Sequence, residues 1–200
     1  YCVVTATIDG HSASINTDTV TVTLTDVPGT EVFSGAGTKE SPYKIKDLND
    51  LKTMQSIMEK GYGMEGKYFE LQADIELPSN WDGLGTLIDK NWHSSNEYDK
   101  TQENGGKNVT PFMGIFDGKG HRITIPDGGK APFKYVRKAT IKNLKLYGAN
   151  VDGSALISSM FLDYGPTGNY DDLDLNKGFW TVIIDNVTLE SNSKTSDAGF

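Results

Sequence analysis

Short apolar runs, each ended within a few positions by Gly, Asn, Asp or Pro, are the dominant pattern of this chain. Residues 1–8 alternate in the manner of a strand. Thr19 to Leu24 alternates strictly and puts Val20, Val22 and Leu24 on one face. Asp9-Gly10 and the stretch Asn16 to Asp18 carry turn signals. The two runs are expected to form antiparallel strands with a long connection. Two strands alone are marginal in water, so they are expected to complete a β-sandwich whose other strands lie upstream.

Val27-Pro28-Gly29-Thr30 opens a linker expected over residues 28–34. One segment changes period. Leu48, Leu51, Met54, Ile57 and Met58 recur at helical spacing, behind an N-capping Asp47 and ahead of a terminating Gly61. The spacing predicts a helix from Asp47 to Lys60, with the Leu and Met stripe as core. Strand material returns at Tyr68, Phe69, Leu71, Ile75 and Leu77, with a break near Ala73-Asp74. It returns again as two short strands around the Gly-rich turn between Phe112 and Ile125. A polar insertion separates these regions near 88–110.

A repeat decides the expected architecture. Ala139 to Leu146 and Val182 to Leu189 both read Ile-x-Asn-apolar-x-Leu. Ile141, Leu144 and Leu146 are spaced by three and then two, so a straight strand cannot point all three inward. A bend at Asn143 repairs the phase, because Asn tolerates left-handed backbone angles, and the same logic places a bend at Asn186. Stacked copies would bring the two amides into register, where they can hydrogen-bond along the stack. The offset fits either two ordinary coils or one coil with an insertion, for which residues 158–180 are the candidate. The expected fold class is mainly β. It is a right-handed parallel β-helix over residues 35–200 with the helix near its N-terminal end, preceded over residues 1–27 by two strands of a sandwich.

The ordered set Gly35-x-Gly37-Thr38-x-x-x-Pro42-Tyr43-x-Ile45, Tyr68-Phe69-x-Leu71-x-x-Asp74-Ile75-x-Leu77, Gly114-x-Phe116-Asp117-Gly118-x-Gly120-His121-x-Ile123 and Ile141-x-Asn143-Leu144 is similar to the opening of bacterial cell-surface β-helix proteins of the GLUG-repeat type. Tyr1-Cys2-Val3-Val4 with the later Thr/Val run resembles the end of an immunoglobulin-like module. The resemblance implies that the helix caps the N-terminal end of the solenoid, and it implies an extracellular, cell-surface or cell-wall location and mostly adhesive, non-catalytic roles. It also implies that Asp117, Gly118 and Gly120 are structural. Ser196 to Phe200 looks like the start of another such repeat. The two long insertions depart from the pattern.

Charge narrows the partners. Lys and Arg total 19 against 27 Asp and Glu, for a formal charge of −8, and no basic stripe is present. Such a chain gains nothing from counterion release on a phosphate backbone, so nucleic acid is not an expected partner. No apolar run has the length of a membrane span, so membrane insertion of this segment is not expected. The single cysteine, Cys2, has no internal partner. Starting at Tyr1 without a visible signal peptide, the chain reads as part of a longer processed protein.

Candidate chemistry is sparse. Asp117 and His121 could form an acid/base pair, against a structural reading of the same turn. Asp172, Asp174 and Asn176 match the start of a calcium loop, but Lys177 and Ile183 stand where such a loop has Gly and Glu. No other cofactor is expected. Acids such as Asp74, Asp82, Asp89, Asp152 and Asp171 could supply a glycosidase pair, though none falls in a recognisable motif. Asn108-Val109-Thr110 and Asn186-Val187-Thr188 match glycosylation sequons, the second at an expected inward bend. The insertions carry Trp92, Tyr98, Tyr164, Tyr170 and Trp180, aromatics suited either to binding a glycan or surface protein or to pinning long loops. The expected function is therefore a non-catalytic binding or adhesive module, with a β-helix polysaccharide hydrolase or lyase as the alternative.

Overall fold

The structure, a computed structural model, describes the backbone of residues 2–8 and 11–17, and residues 27–87, 109–160, 182–190 and 194–195. Strands β1 (Cys2–Ile8) and β2 (His11–Thr17) pair antiparallel, with Ile8 opposite His11. Only Asp9 and Gly10 separate them, the connector length for which Asp-Gly is favoured. The partner of β1 is thus the weakly patterned His11–Thr17. The stronger run Thr19 to Leu24 lies outside the described residues.

Two residues ahead of position 35 pack on the body. Thr30, in a single 3-10 turn (Thr30–Val32), is buried; its Oγ1 donates to the Val27 carbonyl at 2.7 Å and accepts from the Tyr43 hydroxyl at 3.0 Å. The Phe33 ring lies 5.6 Å from Tyr43 and 6.4 Å from Phe69. Within residues 28–34, Thr30 and Phe33 are thus anchored to the body while Glu31, Val32 and Ser34 stay exposed, since an aromatic ring among other rings is removed from water.

The rest of the body is mainly β, with mostly parallel strands and one α-helix among the described residues. Strands β3 (Tyr43–Ile45), β4 (Tyr68–Leu71), β8 (Ile115–Asp117) and β11 (Thr140–Tyr147) pair side by side in parallel, and β13 (Ile183–Leu189) follows on β11. The second half of β11 pairs with β9 (Arg122–Thr124), which pairs with β5 (Ile75–Glu76). Register then builds the core in columns. Tyr43, Phe69, Phe116 and Ile141 stand in one column, and Ile75, Ile123 and Leu146 in another, all buried. A second face is made by β10 (Phe133–Val136) and β12 (Ile157–Met160), with Leu84 bridging to Phe133 and Phe112 to Val136. A third row links Gly129, Val151 and Thr195. Phe69, Phe112, Phe133 and Phe116 fill the space between the faces with centroid separations of 5.3 to 6.4 Å.

Helix α1 (Leu48–Glu59) starts where its cap allows. The Asp47 carboxylate accepts from the Asn49 and Asp50 amides at 2.8 and 3.2 Å. It ends at Lys60, followed by Gly61 at a φ of 97°. Its buried residues are Leu51, Met54, Ile57 and Met58, and it packs on β3 and β6 (Thr86–Leu87). Leu48 is only partly buried against the core.

Asn143 and Asn186 both sit in the left-handed region at a φ of 51°. This single-residue bend turns the side-chain phase, so that Ile141, Leu144 and Leu146 all face the core. Thr140 pairs with Ile183 and Ile141 with Ile184 on adjacent strands. The 43-residue offset is therefore one return of the chain, with the excursion 161–181 inside it, rather than two. That excursion starts later than residue 158, because β12 runs to Met160. The first excursion is closed at its base: β6 pairs antiparallel with β7 (Val109–Thr110), Thr86 opposite Thr110 and Leu87 opposite Val109.

Candidate functional site

A connected set of polar groups lies on the outer face of the parallel sheet. Register aligns Lys44, Glu70, Asp117, Lys142 and Asp185 in one outward column. Lys44 pairs with Glu70, and Gln72 Nε2 donates to the same Glu70 oxygen at 2.9 Å. Lys142 Nζ is 3.5 Å from Asp117. Asp117 Oδ1 accepts from the Lys119 amide at 2.9 Å and from Asn143 Nδ2 at 3.0 Å. Asn186 Nδ2 in turn donates to Asn143 Oδ1 at 2.9 Å. Asp117, Asn143 and Asn186 thus form a side-chain ladder across three successive strands.

Gly118 and Gly120 shape the turn around this ladder. A Cβ on Gly118 would lie 2.6 Å from the Asn143 carbonyl oxygen, so only glycine permits the close approach, and Gly120 has a φ of 81°. The Gly120 amide donates to that same Asn143 carbonyl at 2.7 Å.

His121 does not pair with Asp117. Its Nδ1 lies 3.2 Å from Asp74, on the strand-side turn of the neighbouring layer, and Asp74 also accepts from the Arg122 amide at 2.9 Å. Arg122 Nη1 reaches Glu190 at 3.2 Å. Sequence patterning does not mark Asp74, Arg122 and Glu190 as partners, because their meeting depends on how many residues each turn contains. Aligning the turns layer by layer is the signal that could reveal them.

The carboxylates share one electrostatic character. The hydrogen bond from Lys44 is the largest influence on Glu70 and, with Gln72, holds it below its ordinary value despite partial burial. The Arg122 amide does the same for Asp74, opposed by desolvation and helped by His121. Burial is the largest influence on Asp117 and pushes it up. The Asn143 amide, the Lys119 amide and the Lys142 charge together outweigh burial, and the net shift is downward. A general acid needs the opposite tuning. These groups are ionised acceptors that tie neighbouring strands together.

The remaining candidate residues fall elsewhere. Trp92, Tyr98, Tyr164, Tyr170, Trp180, Asp172, Asp174, Asn176, Asn108, Asp89 and Asp171 lie outside the described residues. Asp82 pairs with Lys134 at 2.6 Å, and Asp152 is exposed. Asn186 is exposed rather than inward. Sugar attachment there would compete with its bond to Asn143 rather than collide with a core. Among the described residues, no cluster of three or more His, Cys, Asp or Glu could hold a metal, and no helix is long and apolar enough to cross a membrane. A shallow depression of about 450 Å³ runs along α1, lined by Gly29, Val32, Asn49, Lys52, Thr53 and Ile57 among others. Sequence patterning gives no sign of it.

No protein-family model matches this sequence, and no curated protein does. Among solved structures, the crystal structure of a "putative immunoglobulin A1 protease" from Bacteroides ovatus superposes with a TM-score of 0.50 at 20% identity, covering 87% of this chain and 45% of that one. This chain therefore spans less than half of that protein's length, and the likeness is one of fold.

Proposed function

We propose that this chain is part of a right-handed parallel β-helix in an exported bacterial cell-surface protein, and that it serves as a non-catalytic module for adhesion. The observation that carries the reading is the Asp117–Asn143–Asn186 ladder. Strands that return in register, with β11 and β13 bent at matching asparagines, are what a coiled parallel stack requires. Helix α1, lying on β3 at the start of that stack, suits the role of a cap. The lowered carboxylates favour a scaffold, because they are engaged in holding layers together rather than poised to give up a proton. In this reading the ligand, a glycan or a surface protein, is taken by the two excursions that carry Trp92, Tyr98, Tyr164, Tyr170 and Trp180.

A glycan array with parallel assays for released reducing ends and unsaturated sugars tests this. Saturable binding without turnover is expected, weakened about tenfold or more by Trp92→Ala or Trp180→Ala. Turnover abolished by Asp74→Asn or Asp117→Asn would replace this reading with the polysaccharide hydrolase or lyase alternative.

A further inference from the structure

We infer that Met113 is a peroxide-reactive modification site, and that the Arg137 guanidinium captures the oxygen it gains. Layer register brings the two residues together. Phe112 bridges to Val136, and the Arg137 amide donates to the Phe112 carbonyl at 3.0 Å. Met113 and Arg137, each one position further on, therefore meet. Arg137 Nη2 donates to the Met113 thioether at 3.3 Å from Sδ.

The methionine is held in place. Its amide donates to the Gly63 carbonyl at 2.7 Å. Its methyl occupies the notch that Gly63 leaves, where a Cβ would lie 2.4 Å from Cε. Met54, Met58 and Met64 are buried in the core, whereas Met113 is half-buried. Methionine oxidation follows access to the sulfur. Hydrogen peroxide therefore reaches Met113 ahead of those three.

The step is an oxygen transfer. A sulfur lone pair attacks one peroxide oxygen, and the S–O bond forms as the O–O bond breaks. The departing oxygen takes the proton from the transferred one and leaves as water. Sulfur is oxidised, the peroxide is reduced, and no other reactant is needed. The acceptor presented to Arg137 changes with it. A thioether accepts weakly, whereas a sulfoxide oxygen is polar. Nε lies on the same edge of the guanidinium as Nη2, and it is buried with no acceptor among the described residues. The flexible, unbranched methionine chain can turn the new oxygen onto that edge. A sulfoxide ordinarily disrupts packing; here a charged donor meets it.

The test is hydrogen peroxide added to the whole chain, followed by peptide mass spectrometry. Met113 should gain oxygen about tenfold or more faster than Met54, Met58 and Met64. Capture is read from the arginine Nε–H signals in nuclear magnetic resonance. The chain has two arginines, so Arg122 serves as the internal reference. On oxidation, hydrogen exchange at Arg137 Nε–H should slow about fivefold, with Arg122 unchanged. Met113→Leu, which keeps a similar volume, should show no slowing. Equal oxidation at all four positions would overturn the proposal. So would an Arg137 signal that oxidation leaves unchanged, or one that slows equally in Met113→Leu. Collapse of signal dispersion in the oxidised chain, but not in oxidised Met113→Leu, would overturn it too, since the sulfoxide would then break the packing instead of being held.

Discussion

Ile141 and Ile184 occupy the same position of the same motif, in register on adjacent strands, and live in different environments. Ile141 has no solvent exposure; Ile184 is 43% exposed. The following asparagines do not differ in backbone, both standing at a φ of 51°. The comparison separates two things the motif encodes. Its asparagine sets the bend locally. Burial of its isoleucine is set by what lies on either side: β8 and β13 flank β11, while β13 has a described neighbour only on one flank.

The largest expected effect tests the burial half of that contrast. Ile141→Ala should cost about 2–5 kcal/mol in chemical denaturation, because it opens a cavity between flanked strands. Ile184→Ala should cost about 1 kcal/mol or less. Equal losses would mean that β13 is covered in solution. Next comes the bend. Asn143→Ala places a Cβ-bearing residue without a local hydrogen bond at positive φ and removes the amide from Asp117, for a combined cost of about 2–3 kcal/mol. Asn143→Gly relieves only the backbone, so it should recover about half of that. A glycine variant as damaging as the alanine would assign the whole effect to the amide.

Acid should distinguish the layers too. The folded-state pKa of Asp117 lies below its ordinary 3.8, so its ionised form contributes stability that is complete above that value. The contribution fades as pH falls through the lowered value. Glu70 and Asp74 add in the same direction from ordinary values of 4.5 and 3.8. Thermal melts from pH 7 to pH 2 should therefore drop most steeply below about pH 4, and less steeply in Asp117→Asn. An unchanged acid slope in that variant would detach Asp117 from the ladder's stability. The smallest effect is expected at the exposed Asp82–Lys134 pair, where Asp82→Ala should change stability by about 0.2–1 kcal/mol and less in high salt.

Much of the framework is readable from the chain because its causes are local. A capping carboxylate, a 3.6-residue apolar stripe and a glycine stop delimit α1 within a few residues. The three-then-two spacing of Ile141, Leu144 and Leu146 demands a bend, and the demand falls on Asn143, a residue type that tolerates left-handed angles better than most. What escapes such reading depends on distance along the chain. His121 meets Asp74 rather than Asp117 because the β5–β9 register sets Ile75 beside Ile123, and so the turns that precede them side by side. Phe33 looks like part of a linker until Tyr43 and Phe69 are brought beside it. His11–Thr17 is hard to recognise as a strand because its serines and single Ile15 make a weaker alternation than the Thr/Val run that follows. Of the candidate site, the aromatics expected to bind a ligand fall outside the described residues, and the ladder residues are expected from the motif as structure.

The antiparallel closure of β6 on β7 has a consequence for how such a molecule can change. The excursion leaves the body at Thr86–Leu87 and re-enters at Val109–Thr110, with its two ends held side by side. Sequence between those ends can be lengthened, shortened or replaced at an entropic cost that grows only slowly with length. The core columns need not register the change. The pair thus acts as an insertion port, where selection or an engineer can graft a foreign recognition loop onto an unchanged scaffold.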